Sequence, residues 1–441
     1  MKTNPPRRKA PATLALQLLL LAPGSAMAEP ENTEVALEEI IVYGVYGDRS
    51  HRSGGGTGTK LDLPFLESPV SDQLIPDALI RDQQANRIAD ALKNVAAFQP
   101  AYSFGPIQDT FILRGFQLGS DTTAAGYRDG VLLNAYNFAT AGIERIEVLK
   151  GPSSVLYGRA EPGGIVNVVT KKALPEFAAN LAFQTGSFDF YRALADVGGP
   201  IGNDTGLSFR AVGEFLDRET FQDFIFEEQL YGLGALAWEA PTGTTVELQL
   251  EARTLDALDD PGLPVIGDRP APIPPETYLG EPDIGFQKRD DYVVDLDIAH
   301  PLSNNWLIRG KGSYVTSSQD YLDVTLRTLD QETGDQGRGF FGADADYETI
   351  YGSIEIVGDF ETGPVQHKFL TGVDRYHDSL EETLFFTFLD FSAIQPVNIF
   401  NPVLGQSRAP EFSPEDGSFG ERTTRWTGLY VQDHILSLIH I

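Results

Sequence analysis

From residue 177 to residue 434 the chain repeats one pattern, in which apolar and polar side chains alternate with a period of two. Val246-Glu247-Leu248-Gln249-Leu250-Glu251-Ala252-Arg253 alternates without a fault, and Ile350 to Ile356 nearly does. About ten such segments fall near 177–186, 189–198, 205–217, 229–240, 244–255, 291–300, 306–320, 347–360, 365–378 and 422–434. A period of two commits this region to strands, and leaves two architectures open. A soluble sandwich would turn the apolar face inward, and a membrane barrel would turn it outward. The connections separate them. Short ones at 199–204, 241–243, 301–305 and 361–364 interleave with long polar ones at 218–228, 256–290, 321–346 and 379–421. Outer-membrane barrels keep this beat, with tight inner turns and long outer loops. Aromatic residues near the segment ends, such as Tyr191, Trp238, Tyr292 and Trp306, suit interfacial girdles.

The other 176 or so residues are organised differently. Arg7, Arg8 and Lys9, the apolar run Ala12 to Ala22 and the small-x-small site Ala26-Met27-Ala28 make residues 1–28 an export signal. Beyond it no run of about 18 apolar residues occurs, so a membrane-spanning mature chain must span as a barrel. Residues 29–60 hold an acidic leader, the strand-like Ile40-Ile41-Val42-Tyr43 and a glycine-rich linker. The linker is no phosphate loop, because Thr59 separates Gly58 from Lys60. Residues 61–172 read as a compact α+β unit. Short helices are expected over 76–80 and 87–95, and strands over 111–113, 130–133 and 164–170; 143–149 suits a strand or a short helix.

Composition narrows the chemistry. With 63 acidic against 33 basic residues the net charge is −30, which argues against a nucleic-acid partner. The absence of cysteine removes disulfides, thiolate metal sites and thiol nucleophiles. The six histidines show no ligand spacing, and neither GxSxG nor HExxH occurs. We therefore expect no enzyme activity, no catalytic residue and no resident metal.

Ile143 to Gly158 (IERIEVLKGPSSVLYG), continuing through Pro162-Gly163-Gly164 to Lys171, resembles the plug signature of TonB-dependent outer-membrane siderophore receptors. Phe111 to Phe116 resembles the Arg-Gly-Phe element of that plug, and Glu38 to Gly44 resembles the TonB box by position and residue type. Gly428 to Asp433, His367 to Asp374 and Leu279-Gly280-Glu281-Pro282-Asp283 look like family segments. The resemblance implies a transmembrane antiparallel β-barrel of about 22 strands with an α+β plug in its lumen, set in the Gram-negative outer membrane and its lipid. Residues 61–172 would be the plug and 173–441 part of the barrel.

The implied function is import of a ferric siderophore, energised through TonB and its inner-membrane complex. Another cargo (a vitamin, haem or an oligosaccharide) through the same machinery is the alternative. Glu39, Ile40, Ile41, Val42 and Tyr43 would offer bare backbone for a partner strand to pair with and pull. By likeness to ferrichrome-type receptors, Arg114 would contact the chelate, Asn134 would sit at a polar contact position, and Tyr136 and Phe138 would form an aromatic wall. The cargo's iron would stay in its chelator's oxygens, so no cofactor is expected. The region after 173 holds about ten strands, and the chain ends Leu436 to Ile441 without a terminal aromatic. We therefore expect a longer receptor whose C-terminal half lies outside this chain, with residues 436–441 of uncertain origin. The short stretch before the plug leaves no room for an extra periplasmic signalling domain.

Overall fold

The computed structural model describes residues 60–61, 63, 71–101, 105–118, 126–134, 136–151, 157, 160–386, 394–408 and 418–437. The expected export signal (1–28), the Glu39–Tyr43 segment and the terminal 438–441 lie outside these residues. The first part is the α+β unit. Strand β1 (Ser71–Pro76) leads into helix α1 (Asp77–Asp82) and then α2 (Ile88–Leu92). Pro76 in extended conformation starts α1, and Asp77 pairs with Arg81 one turn on at 3.3 Å. In α2 the residues Ile88, Ala91 and Leu92 share one face, and all three are buried. Both helices are shorter than or offset from the sequence expectation by two or three residues, because neither has a C-capping glycine to mark its end.

Seven strands follow: β2 (Phe98–Pro100), β3 (Phe111–Leu113), β4 (Phe116–Leu118), β5 (Gly126–Arg128), β6 (Val131–Leu133), β7 (Ile143–Lys150) and β8 (Gly164–Thr170). Four of them join β1 in one sheet in the order β1-β7-β8-β5-β6, with β5 and β8 parallel; β2-β3-β4 make a second small sheet. The 143–149 segment is thus a strand. Its partners β1 and β8 flank it on both sides, and the apolar residues Ile146, Val148 and Leu149 are buried with Val166 and Val168.

The second part begins with β9 (Ala178–Gly186), β10 (Phe190–Ile201), β11 (Leu207–Glu219), β12 (Phe226–Glu239) and β13 (Thr245–Ala257). A small hairpin, β14 (Val265–Ile266) and β15 (Arg269–Pro270), interrupts them. Then come β16 (Phe286–Ser303), β17 (Trp306–Leu329), β18 (Asp335–Thr362), β19 (Val365–Phe386), the short β20 (Val397–Asn398) and β21 (Ser418–Ser437). Ten of these strands pair antiparallel in sequence order from β9 to β21, with β20 added at β18.

Burial decides between the two architectures. Leu250, Val294, Tyr314 and Ile350 are cross-strand neighbours on β13, β16, β17 and β18, and each is 41–52% exposed. On the opposite face Gln249, Glu251, Arg253, Asp291 and Asp295 are buried. A sheet that exposes its apolar face and buries its charges is a barrel wall in lipid, wrapped around a polar filling. The filling is the α+β unit, whose core (Ile75, Ile88, Leu92, Phe111, Val148, Val166 and others) also takes in Val293 and Val315 from the wall.

The long connection expected at 321–346 is different in the structure. It is a hairpin, with β17 and β18 extending to a tight turn at 330–334. At about 3.3 Å per residue, the 28 residues of β18 reach about 90 Å, far more than a hydrocarbon core of about 30 Å. The exposed positions of its first half are Asp335, Asp344 and Asp346, and the exposed apolar ones, Ile350 and Ile354, come later. The polar composition that read as a loop belongs to strands standing above the membrane.

Candidate functional site

Two hairpins of the plug have two-residue turns in which both residues are left-handed. Asp129-Gly130 (φ 48° and 82°) joins β5 to β6, and Arg114-Gly115 (φ 52° and 85°) joins β3 to β4. This is the type I′ geometry that matches strand twist, and Asp-Gly is a preferred pair for it. Arginine is not. Arg114 holds a conformation that costs about 1 kcal/mol, and its side chain is exposed. Its backbone N–H is anchored on Ala97 O at 2.9 Å. Behind this turn, a Cβ on Gly163 would lie 2.3 Å from Leu113 O, and one on Gly164 would lie 1.9 Å from Leu149 O. The signature glycines are what let the hairpin pack against β7 and β8.

Asn134, Tyr136 and Phe138 are placed differently, since all three are buried between plug and wall. Asn134 Nδ2 donates to Asp378 Oδ2 at 3.0 Å, and Tyr136 Oη donates to Glu251 Oε1 at 3.3 Å. The Arg289 guanidinium sits 5.2 Å from the Tyr136 ring centroid, and the Phe138 ring packs edge-on to Tyr136 at 5.0 Å. The structure thus brings these three together as a seat on the barrel, apart from the Arg114 turn.

The seat extends through charges that the sequence reading did not single out. Arg128 of β5 is 2% exposed. It donates through Nη2 to Glu251 Oε2 at 2.7 Å and to Gln249 Oε1 at 2.9 Å, and through Nη1 to Asp295. Arg289 Nη1 donates to Ile107 O at 2.8 Å, and Arg253 bonds both Asp291 and Asn137. At the inner end Lys172 lies 3.5–3.9 Å from Asp129, Glu247 and Asp297. The available signal was on the page of the sequence: Gln249, Glu251 and Arg253 share the polar face of a strand, and a charge facing a filled lumen needs a partner there. Asp129 would be pushed up by burial, but Lys172 and Arg128 beside it hold its carboxyl below the usual range. For Asp109 burial prevails. Its carboxyl is raised to about 6, although the Phe138 N–H and the charges of Arg87, Arg253 and Arg289 pull it down.

Beneath the plug sheet a cavity of about 800 Å³ lies against the wall, with Lys60, Asp129, Arg145, Lys172, Asp297 and Lys311 among its lining. At the other end Glu281, within the Leu279–Asp283 segment, is fully buried against Arg338. Arg338 Nη2 donates to Glu281 Oε1 at 2.6 Å and to Gln395 O at 2.6 Å, while Ser407 Oγ donates to Glu281 Oε1 at 2.8 Å. Two outer loops, 258–285 and 394–408, are thereby tied to β18. Among the described residues no group of three or more His, Asp or Glu side chains is placed to hold a metal ion.

Residues 64–165 match the model of the TonB-dependent receptor plug domain. The chain is similar in sequence to receptors of the TonB-dependent siderophore type. It is 28% identical over 411 residues to the metal-pseudopaline receptor CntO of Pseudomonas aeruginosa, covering 91% of this chain and 56% of that receptor. It is 27% identical over 394 residues to the ferrioxamine B receptor of Salmonella typhimurium, covering 86% and 54%. The chain therefore spans just over half the length of these curated relatives. In fold it is similar to the siderophore receptor PiuA of Acinetobacter baumannii (TM-score 0.74, 21% identity, covering 85% of this chain and 56% of that one). It is likewise similar to BauA, the ferric preacinetobactin receptor of the same organism (TM-score 0.75, 22% identity, 86% and 57%). The plug-and-barrel architecture expected from the resemblance is the architecture of these relatives; the ten-stranded wall described here is not closed.

Proposed function

We propose that the protein binds a ferric siderophore at the outer face of the Gram-negative outer membrane and imports it with energy delivered by the TonB complex of the inner membrane. The observation that carries this reading is the buried, charge-paired seat of the plug in an apolar-out wall. In a completed barrel a lumen filled this way would bar passive diffusion, so passage would require work on the plug. The names of the relatives, receptors for ferrioxamine B and for a metal-pseudopaline complex, support a metal chelate as the cargo. A vitamin, haem or an oligosaccharide through the same machinery is the second reading.

Within this reading Arg114 is the residue of the plug that meets the chelate, because it alone of the four candidates is exposed and held out on a strained turn. Asn134, Tyr136 and Phe138 act as seats of the plug. Glu39 to Tyr43 would serve as the strand that TonB pairs with, and the iron would remain in its chelator, with no resident cofactor. The protein's work would be transport, not catalysis. Uptake of radiolabelled iron with hydroxamate, catecholate and carboxylate chelators tests this in the full-length receptor. Ile41→Pro, which removes a backbone donor from the pairing segment, should abolish uptake of one chelate and leave its surface binding intact. Absence of binding to every iron chelate would sink the siderophore reading, and the other cargoes would replace it.

A further inference from the structure

The segment that leads from the glycine-rich linker into the plug is fastened to the barrel wall. The carbonyl of Lys60 accepts from Arg309 Nη2 at 2.7 Å. Its ammonium lies 3.7 Å from Glu355 Oε1, 4.3 Å from the centroid of the Tyr430 ring and 5.3 Å from that of Tyr157 on the plug. Glu355 is itself held by Arg309 and by the Tyr430 hydroxyl. Leu61 and Leu63 are buried in an apolar cluster with Leu370, against which Val357 and Tyr430 pack. Arg309, Glu355, Leu370 and Tyr430 belong to β17, β18, β19 and β21, so four adjacent strands grip these few residues. Only beyond them does the chain enter the plug sheet through β1, which is an edge strand of that sheet.

We propose that residues 60–63 are a force-bearing strap, which must leave the barrel wall before a pull on the chain can move the plug. This rests on the reading that energy arrives through Glu39 to Tyr43. Chain connectivity then gives the order: tension passes along 44–59, reaches Lys60 and meets the wall before it meets β1. A small unit fastened by an apolar cluster and the few polar contacts of Lys60 can open without the rest of the fold, and can re-seat when tension ends. The strap therefore sets a threshold. A weak or brief pull leaves the plug seated, and sustained tension does not.

The chain contains no cysteine, which makes thiol chemistry selective. In the full-length receptor, a Leu61→Cys, Leu370→Cys pair closed by oxidation or a short bifunctional reagent should lower iron-chelate uptake about tenfold or more, with surface binding kept and uptake restored when an oxidised pair is reduced. Import at the wild-type rate by the cross-linked receptor would overturn the strap. Ile41→Pro run in parallel separates the two ideas, because normal import by that variant would overturn the TonB reading itself. A single Leu61→Cys variant gives a second measurement that needs no cross-link. Its labelling by a small thiol reagent should be slow at rest and about tenfold faster during energised import. Equal labelling in both conditions would mean that the segment never leaves the wall.

Discussion

Arg114 and Asp109 are plug residues in opposite surroundings, one exposed on a turn and one buried. Arg114 occupies a position of the type I′ turn where asparagine or glycine would be relaxed. Arg114→Gly should therefore match or raise thermal stability by about 1 kcal/mol while weakening chelate binding, read by calorimetry and by ligand titration. A loss of stability with binding unchanged would make the arginine a structural residue. Asp109 is buried beside three arginines, and its folded carboxyl titrates near 6, above the ordinary value of 3.8. The sign follows from the raised value. The stabilising contribution is complete below about pH 4 and is lost as pH rises through 6. Asp109→Asn keeps the oxygen that accepts from Phe138 N–H, so it should be the more stable protein at pH 7.5, by up to about 3 kcal/mol. The advantage should vanish by pH 4, and denaturant melts at the two pH values would check it.

At the scale of elements, strand β5 is held to the wall by its last residue. Arg128 compensates Glu251 and Asp295 together, and none of the three reaches water. Removing the cation alone strands two buried carboxylates, so Arg128→Ala should cost about 3–5 kcal/mol and loosen the plug, seen as faster proteolysis of the 126–170 region. Replacing all three members by apolar residues should cost far less, because no charge is then left unpaired. Much of this element was legible beforehand. The apolar run at 130–133 marked a strand, and the alternation in 244–255 marked its wall partner. The pairing of Arg128 with those strands was not legible, because the partners lie more than 120 residues away along the chain.

For the whole molecule, the outer ends of the longest strands carry the loops, and one buried pair organises them. Arg338 bonds the carbonyls of Leu279, Gly280 and Gln395 as well as Glu281, so it closes two loops with a single guanidinium. Arg338→Ala should release 258–285 and 394–408 to protease while leaving the melting of the wall unchanged. Arg338→Lys should recover only part of this, since an ammonium cannot reach that set of acceptors from one planar fork.

The sequence by itself determined the parts that depend on short-range pattern. Period-two alternation specified the ten wall strands, since each side chain must face either lipid or lumen, but it fell short of the outer ends of β17, β18 and β19. Short apolar runs specified plug strands at 111–113 and 164–170. Tertiary structure alone decided where polar groups find partners. A long acidic stretch such as 321–346 reads as loop or as strand until its neighbours are known, because it becomes strand by pairing β17 with β18 and each of them with its other neighbour, β16 or β19. In the same way Asn134, Tyr136 and Phe138 carry the residue types of a binding surface, yet they are buried against Asp378, Glu251 and the plug core. Burial is a property of the closed contact between plug and wall, and no local pattern in either one contains it.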